Sequence, residues 1–326
     1  MPTTKNIWVV IPNWNGADLI VECLESLTGQ TEPHHVIVVD NGSVDDSIAV
    51  IEKQFPDVTL LKQPENLGFA GGVNVGIQHA IKHGVEYIAL LNNDAVADKH
   101  WLKHLLKALS SSDSTAIVAS KMIQANTGHI DSTGEQYSIW GMPFPRGRGE
   151  PDSGQYDNKT TVFGASGGAS LYRATLFEDI GYFDEVFFAY YEDADLSFRA
   201  QLAGWSITYQ PKAVVHHRIG ATSEKLGNFT RYHATKNFYL LYLKNMPLSL
   251  LLKYWILFIS QAFILFLGNA RHGAARTHIK AEWAVIKQLN STANKRRDIQ
   301  SQRRVSPKHI DPILHHGRNP RTPKNT

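Results

Sequence analysis

The chain has 326 residues, 43% of them hydrophobic and 19% charged, which is enough for about two domain-sized units or one large α/β domain with an appendage. This composition excludes a mostly disordered chain and a collagen-like repeat, and the single cysteine, Cys23, excludes a disulfide-stapled mini-protein. The net charge of +3 is unevenly spread: residues 271–326 hold 13 Lys and Arg against 3 Asp and Glu, or +10, and the first 270 residues carry the balance of −7. An acidic body with a basic tail argues against nucleic acid as a partner, because a groove that tracks phosphates needs its positive charge on the folded part. A tail of this sign suits an anionic membrane surface. One cysteine and no signal-like segment ahead of the apolar run Ile7–Ile11 fit a reducing compartment.

In chain order, Ile7–Ile11 reads as a strand, and Leu19, Ile20, Cys23, Leu24 and Leu27 recur at helical spacing until Gly29. The unit repeats as strand His35–Asp40 with helix Asp45–Gln54, strand Val58–Leu61 with helix Ala70–His83, and strand Tyr87–Leu91 with helix Asp98–Ser110. A short apolar run, Ala116–Ala119, follows. Such alternation predicts a mostly parallel sheet covered by helices, with ligands bound outside the carboxyl ends of its strands. Those ends are Pro12–Asn15, Asp40-Asn41-Gly42-Ser43 and Asn92-Asn93-Asp94. Asn, Asp and Gly close βα loops everywhere, but three acidic or amide-rich ends on one rim point to a shared ligand.

Residues 121–165 carry no clean period and are rich in Gly, Pro and Asp, so a long, partly mobile loop or irregular hairpin is expected there. Order is expected to return at Thr161–Tyr172. In the stretch Phe183–His217, Glu192, Asp193 and Asp195 open a helix that stops at Gly204. Carboxylates in a first helical turn complement the helix dipole. Dipole complementarity leaves the preceding aromatic cluster of Phe187, Phe188, Tyr190 and Tyr191 unexplained, and a carboxylate desolvated beside aromatic walls is a better base than an exposed one. His216 and His217 end a strand-like segment, and an imidazole paired with an upstream carboxylate is an ordinary divalent-ion site.

The segments VVIPNWNG (9–16), VVDNGSVDDS (38–47), ENLGFAGGVNVGI (65–77), LLNNDA (90–95), GASGGASLYR (164–173) and FDEVFFAYYEDADLSFRAQLAGW (183–205) together resemble family 2 glycosyltransferases of the GT-A fold. Within that family they are most similar to its bacterial rhamnosyltransferase-like branch. The resemblance covers about the first 220 residues, and it implies transfer of a sugar from a nucleoside diphosphate with inversion. It implies that Asp40 recognises the nucleobase, that Pro12, Asn15, Asn41, Asn66, Gly72 and Asn93 line the nucleotide-sugar site, and that Asp193 is the catalytic base with Glu192 beside it. Asp94 matches the last acid of a metal-binding DXD motif that here reads Asn92-Asn93-Asp94, keeping one carboxylate, and His217 or its neighbour His216 matches a downstream ligand for Mg²⁺ or Mn²⁺. Asp195 is expected to be structural, and Arg199 to pair with a carboxylate or a phosphate.

Residues Met246–Gly268 contain one charge, Lys253, and are long enough to span a bilayer. Spanning, re-entrant and in-plane arrangements stay open, as does a core helix of a homo-oligomer. Arg231, His233, Lys236 and Asn237, just upstream, are placed to meet lipid headgroups or an acceptor diphosphate. The expected organisation is a GT-A α/β catalytic domain over 1–225, a helical membrane-associating region over 226–290 and a basic disordered tail over 291–326. The leading reading is an inverting rhamnosyltransferase that takes dTDP-L-rhamnose as donor and a polyprenyl-diphosphate-linked glycan as acceptor, on the cytoplasmic face of the plasma membrane. The alternatives are another donor such as a UDP-hexose, or a non-catalytic sugar-nucleotide-binding scaffold. A dehydrogenase is poorly supported, because Gly68, Gly71 and Gly72 lack the spaced glycine fingerprint after a first strand.

Overall fold

The computed structural model describes residues 6–218 and 227–319. The first half follows the expected alternation: β1 (Ile7–Asn13), α1 (Ala17–Thr28), β2 (His35–Asp40), α2 (Ser47–Gln54), β3 (Thr59–Lys62), α3 (Gly68–Lys82) and β4 (Tyr87–Leu91). Runs such as Val9-Val10-Ile11 and Ile37-Val38-Val39 are wholly buried, which is why these strands are apolar on both faces and lie under helices. Next come β5 (Ala95–Ala97), α4 (Trp101–Leu109), β6 (Thr115–Gln124), β7 (Ile130–Ser132), β8 (Glu135–Tyr137), β9 (Pro143–Pro145), β10 (Ala169–Arg173), α5 (Ala174–Ile180), α6 (Glu192–Leu202) and β11 (Ser206–His217). The chain ends in α7 (Asn228–Asn245), α8 (Leu248–Arg271), α9 (Ala275–Lys287), α10 (Leu289–Ser301) and α11 (Pro307–Ile310).

The main sheet has nine strands in the order β3-β2-β1-β4-β10-β6-β11-β5, with β7 added to β6. Strands β3, β2, β1 and β4 are parallel, and β11 runs parallel to β6. Beyond β4 the sheet becomes mixed, because β10 is antiparallel to both β4 and β6. The amide of Asn92 donates to Gly168 O at 2.9 Å, so the chain enters β10 from the carboxyl end of β4 and must run back along it. One apolar layer lies against α1 and α4 and another against α3, α5 and α6. A third cluster, rich in aromatics, joins α6 to α7 and α8, with the Tyr242 and Phe258 rings stacked at 3.9 Å.

Two expectations are corrected here. Residues 121–165 are not a slack loop: they form the end of β6, β7 and the separate β8–β9 hairpin, and they bury Asp131, Thr133, Glu135 and Arg146. Arg146 donates to Thr133 Oγ1 at 3.0 Å, Thr133 O at 2.6 Å and Lys159 O at 2.8 Å, and this polar closure has no hydrophobic period to betray it. The tail expected to be disordered also folds through residue 319; residues 320–326 lie outside the described residues. Its cations dock on the acidic body. Lys295 meets Asp184 at 2.6 Å, Arg304 meets Asp179 at 2.9 Å, and Arg296 donates to Leu243 O and Met246 O, while Ile310 and Leu314 are buried.

A buried charge cluster fastens α6 to this C-terminal region. Lys244 Nζ lies 2.6 Å from Asp184 and 2.7 Å from Asp195, and Arg199 Nε lies 2.9 Å from Asp195. Asn245 Nδ2 donates to Asp195 at 2.7 Å, and Arg199 also donates to Ile180 O and Tyr182 O. Asp195 is therefore structural, as expected, and Arg199 is spent on it. Breaking such a cluster strands a buried charge, at a cost of about 3–5 kcal/mol. Lys244→Met is expected to lower the unfolding free energy by about that amount in urea titration, whereas the exposed pair Lys62–Glu52 should cost no more than about 1 kcal/mol when broken by Lys62→Met.

Candidate active site

The carboxyl ends of β1, β2 and β4 open onto a cavity of about 650 Å³. On one side Pro12, Asn13, Trp14, Asn41, Asn66 and Gly68 line it. Asn13 Oδ1 accepts from Asn93 Nδ2 at 2.8 Å, and Asn41 Nδ2 donates to Asn66 Oδ1 and to Gly68 O. These side chains thus brace one another across three strand ends. The approach is close: a Cβ on Gly16 would press on Asn93 Nδ2 and Asn13 Oδ1, so a larger residue there would have to displace this pair. Asp40 lies behind this rim, fully buried, accepting from Asn13 Nδ2 at 3.3 Å and from the Ser43 amide at 3.1 Å. It positions Asn13 and does not face the cavity. Asn15 and Gly72 also lie off the lining: Asn15 is exposed and accepts from the Val44 amide, and Gly72 is buried against Asn41.

On the cavity floor, His217 Nδ1 is 2.8 Å from Asp131 Oδ2 and its Nε2 is 3.1 Å from Asp94 Oδ1. Burial alone would lower the imidazole pKa, but the hydrogen bond to Asp131 and the nearby Asp94 carboxylate outweigh it and raise it to about 9. Burial would raise the Asp131 carboxyl, yet His217 and Arg148, 2.9 Å away, hold it below the ordinary carboxylate value. His216 points away, half-exposed and 3.4 Å from Asp98, so of the histidine pair it is His217 that turns inward.

Across the cavity, Glu192 and Asp193 form the first turn of α6. Asp193 accepts from the Gly167 amide at 3.1 Å and the Ala194 amide at 2.7 Å. Burial keeps its pKa above the usual value despite those donors. Glu192 is buried with Oε2 unpartnered, and burial together with the Asp193 charge pushes its pKa well up. Glu135, also in the lining, is raised by burial and then by Asp193.

The turn into α6 is strained. Phe188, Tyr190 and Tyr191 all have φ between 65° and 71°, a region costly for residues with side chains. Asn237 of α7 secures this turn, its Nδ2 lying 2.9, 2.9 and 2.7 Å from the carbonyls of Phe187, Ala189 and Tyr190, and Lys236 Nζ donates to Val186 O at 2.6 Å. Lys236 and Asn237 therefore face the protein, not lipid headgroups or an acceptor diphosphate as their sequence position had implied.

Residues 8–181 match the family described as glycosyl transferase family 2, which covers more than half of the chain. The chain belongs to glycosyl transferase family 2. It is 28% identical over 240 residues to an N-acetylglucosaminyl-diphospho-decaprenol L-rhamnosyltransferase of Mycobacterium tuberculosis, a match covering 61% of this chain and 72% of that one. It is also 28% identical over 221 residues to the pre-mycofactocin glycosyltransferase of the same organism, covering 66% of this chain and 43% of the relative. Its fold is similar to that of a Pyrobaculum calidifontis mannosyltransferase in complex with GDP-Man and Mn²⁺, with a TM-score of 0.57 at 16% identity over 92% of this chain and 87% of that one. The fold is GT-A, and the protein is a glycosyltransferase.

The glycosyltransferase's cavity also holds Asp131, Glu135 and Arg148 in or beside the site, and sequence reasoning had left all three in an irregular segment. Asp131 is 86 residues from His217, and no local pattern connects them. The cluster Asp131-Ser132-Thr133-Gly134-Glu135 was the available signal, since polar residues packed that densely around one glycine are poor loop solvators unless they bond to something. Because the folded-state pKa of Glu192 is raised, its burial costs stability only once the unfolded chain ionises, above about pH 4.5. Glu192→Gln should match the wild type in thermal unfolding at pH 4 and exceed its stability at pH 8.

Proposed function

We propose that this glycosyltransferase moves L-rhamnose from dTDP-L-rhamnose to a polyprenyl-diphosphate-linked glycan, with inversion, in bacterial cell-surface glycan assembly at the cytoplasmic face of the plasma membrane. The observation that carries the chemistry is one cavity lined both by the desolvated carboxylate of Asp193 and by Asp94 with His217. The rhamnosyl donor and lipid-linked acceptor are supported by the named activity of the 28%-identical mycobacterial relative. In this reading Asn13, Asn41, Asn66 and Asn93 hold the nucleotide, with Asp40 behind them as the support of Asn13.

Asp193 takes the proton from the acceptor hydroxyl as that oxygen attacks the anomeric carbon from the face opposite the departing diphosphate. Two backbone N–H groups aim its carboxylate, and burial strengthens it as a base. Glu192, whose buried Oε2 has no partner, orients the acceptor.

Asp94 and His217 fit a divalent cation, Mg²⁺ or Mn²⁺. Buried Asp94 Oδ1 has no well-formed hydrogen bond and lies 3.1 Å from His217 Nε2, while two donors about 2.0–2.1 Å from one ion at a right angle are about 3 Å apart. The Asp131 carboxylate on Nδ1 leaves Nε2 as the ligating atom. Among the described residues no three His, Cys, Asp or Glu side chains cluster to hold a metal alone, so donor phosphates and water would complete the shell. Such a cation supplies charge against the leaving diphosphate.

Asp193→Asn should lower turnover by about 10²- to 10⁴-fold with nucleotide affinity unchanged; near-normal turnover would remove Asp193 as the base. Nucleoside diphosphate release from dTDP-, UDP- and GDP-sugars, with membrane lipid extract and either Mg²⁺ or chelator, tests the donor. Release specific to dTDP-rhamnose and dependent on metal and lipid is expected. Selective release from a UDP-hexose would keep the mechanism and replace the sugar.

A further inference from the structure

We propose that the outward face of α8 and α9 is a docking surface for an anionic membrane leaflet, with an arginine cleft at the start of α8 that receives a lipid phosphate. The inference deepens the reading of a lipid-linked acceptor, but it is tested by lipid binding alone, so each can fail without the other. Among the described residues, twelve of the fourteen exposed large hydrophobic side chains lie between Leu248 and Leu289. A water-facing patch of that concentration marks an interaction surface.

The patch follows from the way the helices pack. On α8, Leu250, Tyr254, Phe258, Ala262 and Leu265 form one buried stripe in the aromatic cluster beneath it, while Leu252, Trp255, Ile259 and Phe263 face outward. Since its inner side is packed along its length, α8 offers lipid one side only and lies in the plane of a leaflet, although its 24 residues are long enough to cross a bilayer. On α9, Ile279, Trp283 and Ile286 repeat at helical spacing and are exposed, with Arg276, Lys280 and Lys287 exposed alongside. An aromatic and aliphatic stripe flanked by cations is the pattern of a helix at a membrane interface.

The charge selects the occupant. Glu282, the one acid in the sequence between residues 248 and 289, accepts from Tyr239 Oη at 2.8 Å and sits 3.3 Å from His278, so its carboxylate is already engaged by the protein. Beside Leu248, a cleft of about 440 Å³ is lined by Arg296, Arg297 and Arg303. None of the three has a carboxylate partner among the described residues: Arg296 donates to main-chain carbonyls, Arg297 to Asn294 and Arg303 to Gln300. A second copy of the chain would set like charges against each other across a two-fold interface, whereas an anionic leaflet neutralises them. The helix that carries the face is tied to the cavity wall through α7. Asn269, near the end of α8, donates to Thr235 Oγ1 at 3.3 Å, two residues from the Asn237 that secures the strained turn in the cavity wall.

The test is flotation of the full chain with phosphatidylcholine vesicles and with mixed phosphatidylcholine–phosphatidylglycerol vesicles, alongside light scattering. The wild type should float with the mixed vesicles, and more weakly with phosphatidylcholine alone. Trp255→Ser with Trp283→Ser, both exposed, should reduce partitioning at least about tenfold on either vesicle. Arg297→Gln with Arg303→Gln should reduce it about tenfold or more on the mixed vesicles only, at about fivefold per cation. Unchanged nucleotide binding would confirm that the variants fold. Failure of the folded wild type to float, or tryptophan variants that bind as well as it does, would overturn the proposal. A dimer that the tryptophan substitutions dissociate would overturn it in favour of contact between copies.

Discussion

The contact between Lys244 and Asp195 is the constraint on which the working geometry depends. Asp195 stands in the same helical turn as Glu192 and Asp193, fully buried, with Lys244, Arg199 and Asn245 around it. That anchor sets the position of α6, and through it the angle at which Asp193 enters the cavity. Two of its three partners, Lys244 and Asn245, come from α7, far along the chain, so the C-terminal helices are part of the scaffold that holds the cavity wall.

The strained turn before α6 depends on the same brace. Three residues within four positions, Phe188, Tyr190 and Tyr191, have positive φ, at a cost of order 1–3 kcal/mol each. Asn237 meets that cost by engaging three carbonyls that would otherwise point into a poorly solvated wall. The turn in turn carries Phe188, Tyr190 and Tyr191 into the cavity lining, which desolvates the two carboxyls beside it. Strain, aromatic walls and the raised carboxyls of Glu192 and Asp193 are therefore linked. The opposite floor works differently, with Asp131 and Asp94 sharing His217 between them so that the imidazole's orientation is decided by carboxylates on two separate segments.

The first four strands and their helices were legible in the sequence because each element is specified by its own residues. His35–Asp40 and Tyr87–Leu91 are strands in the structure over those same residues, since a run of buried β-branched and aliphatic side chains has few other uses. Helix α6 was equally legible from Glu192 to Leu202. β5 was missed because three residues, Ala95–Ala97, carry too little pattern to separate from a loop, and they are a strand only through pairing with β11. The segment around Asp131 and Arg146 was missed for a related reason. Its order comes from polar groups satisfying one another over long sequence distances, and hydrophobic periodicity is blind to that.

The sequence by itself determined the alternating architecture of the first half, the three polar strand ends, the Glu192–Asp193 pair and the charge asymmetry between body and tail. Those features are local, written in spacing and residue type. Only the tertiary structure decided that His217 turns inward and His216 outward, that Asp40 supports the rim from behind, and that the basic tail folds onto Asp179 and Asp184. Each of these depends on which distant groups arrive close enough to share a proton or neutralise a charge. That proximity is a property of the packed chain, and no window of residues contains it.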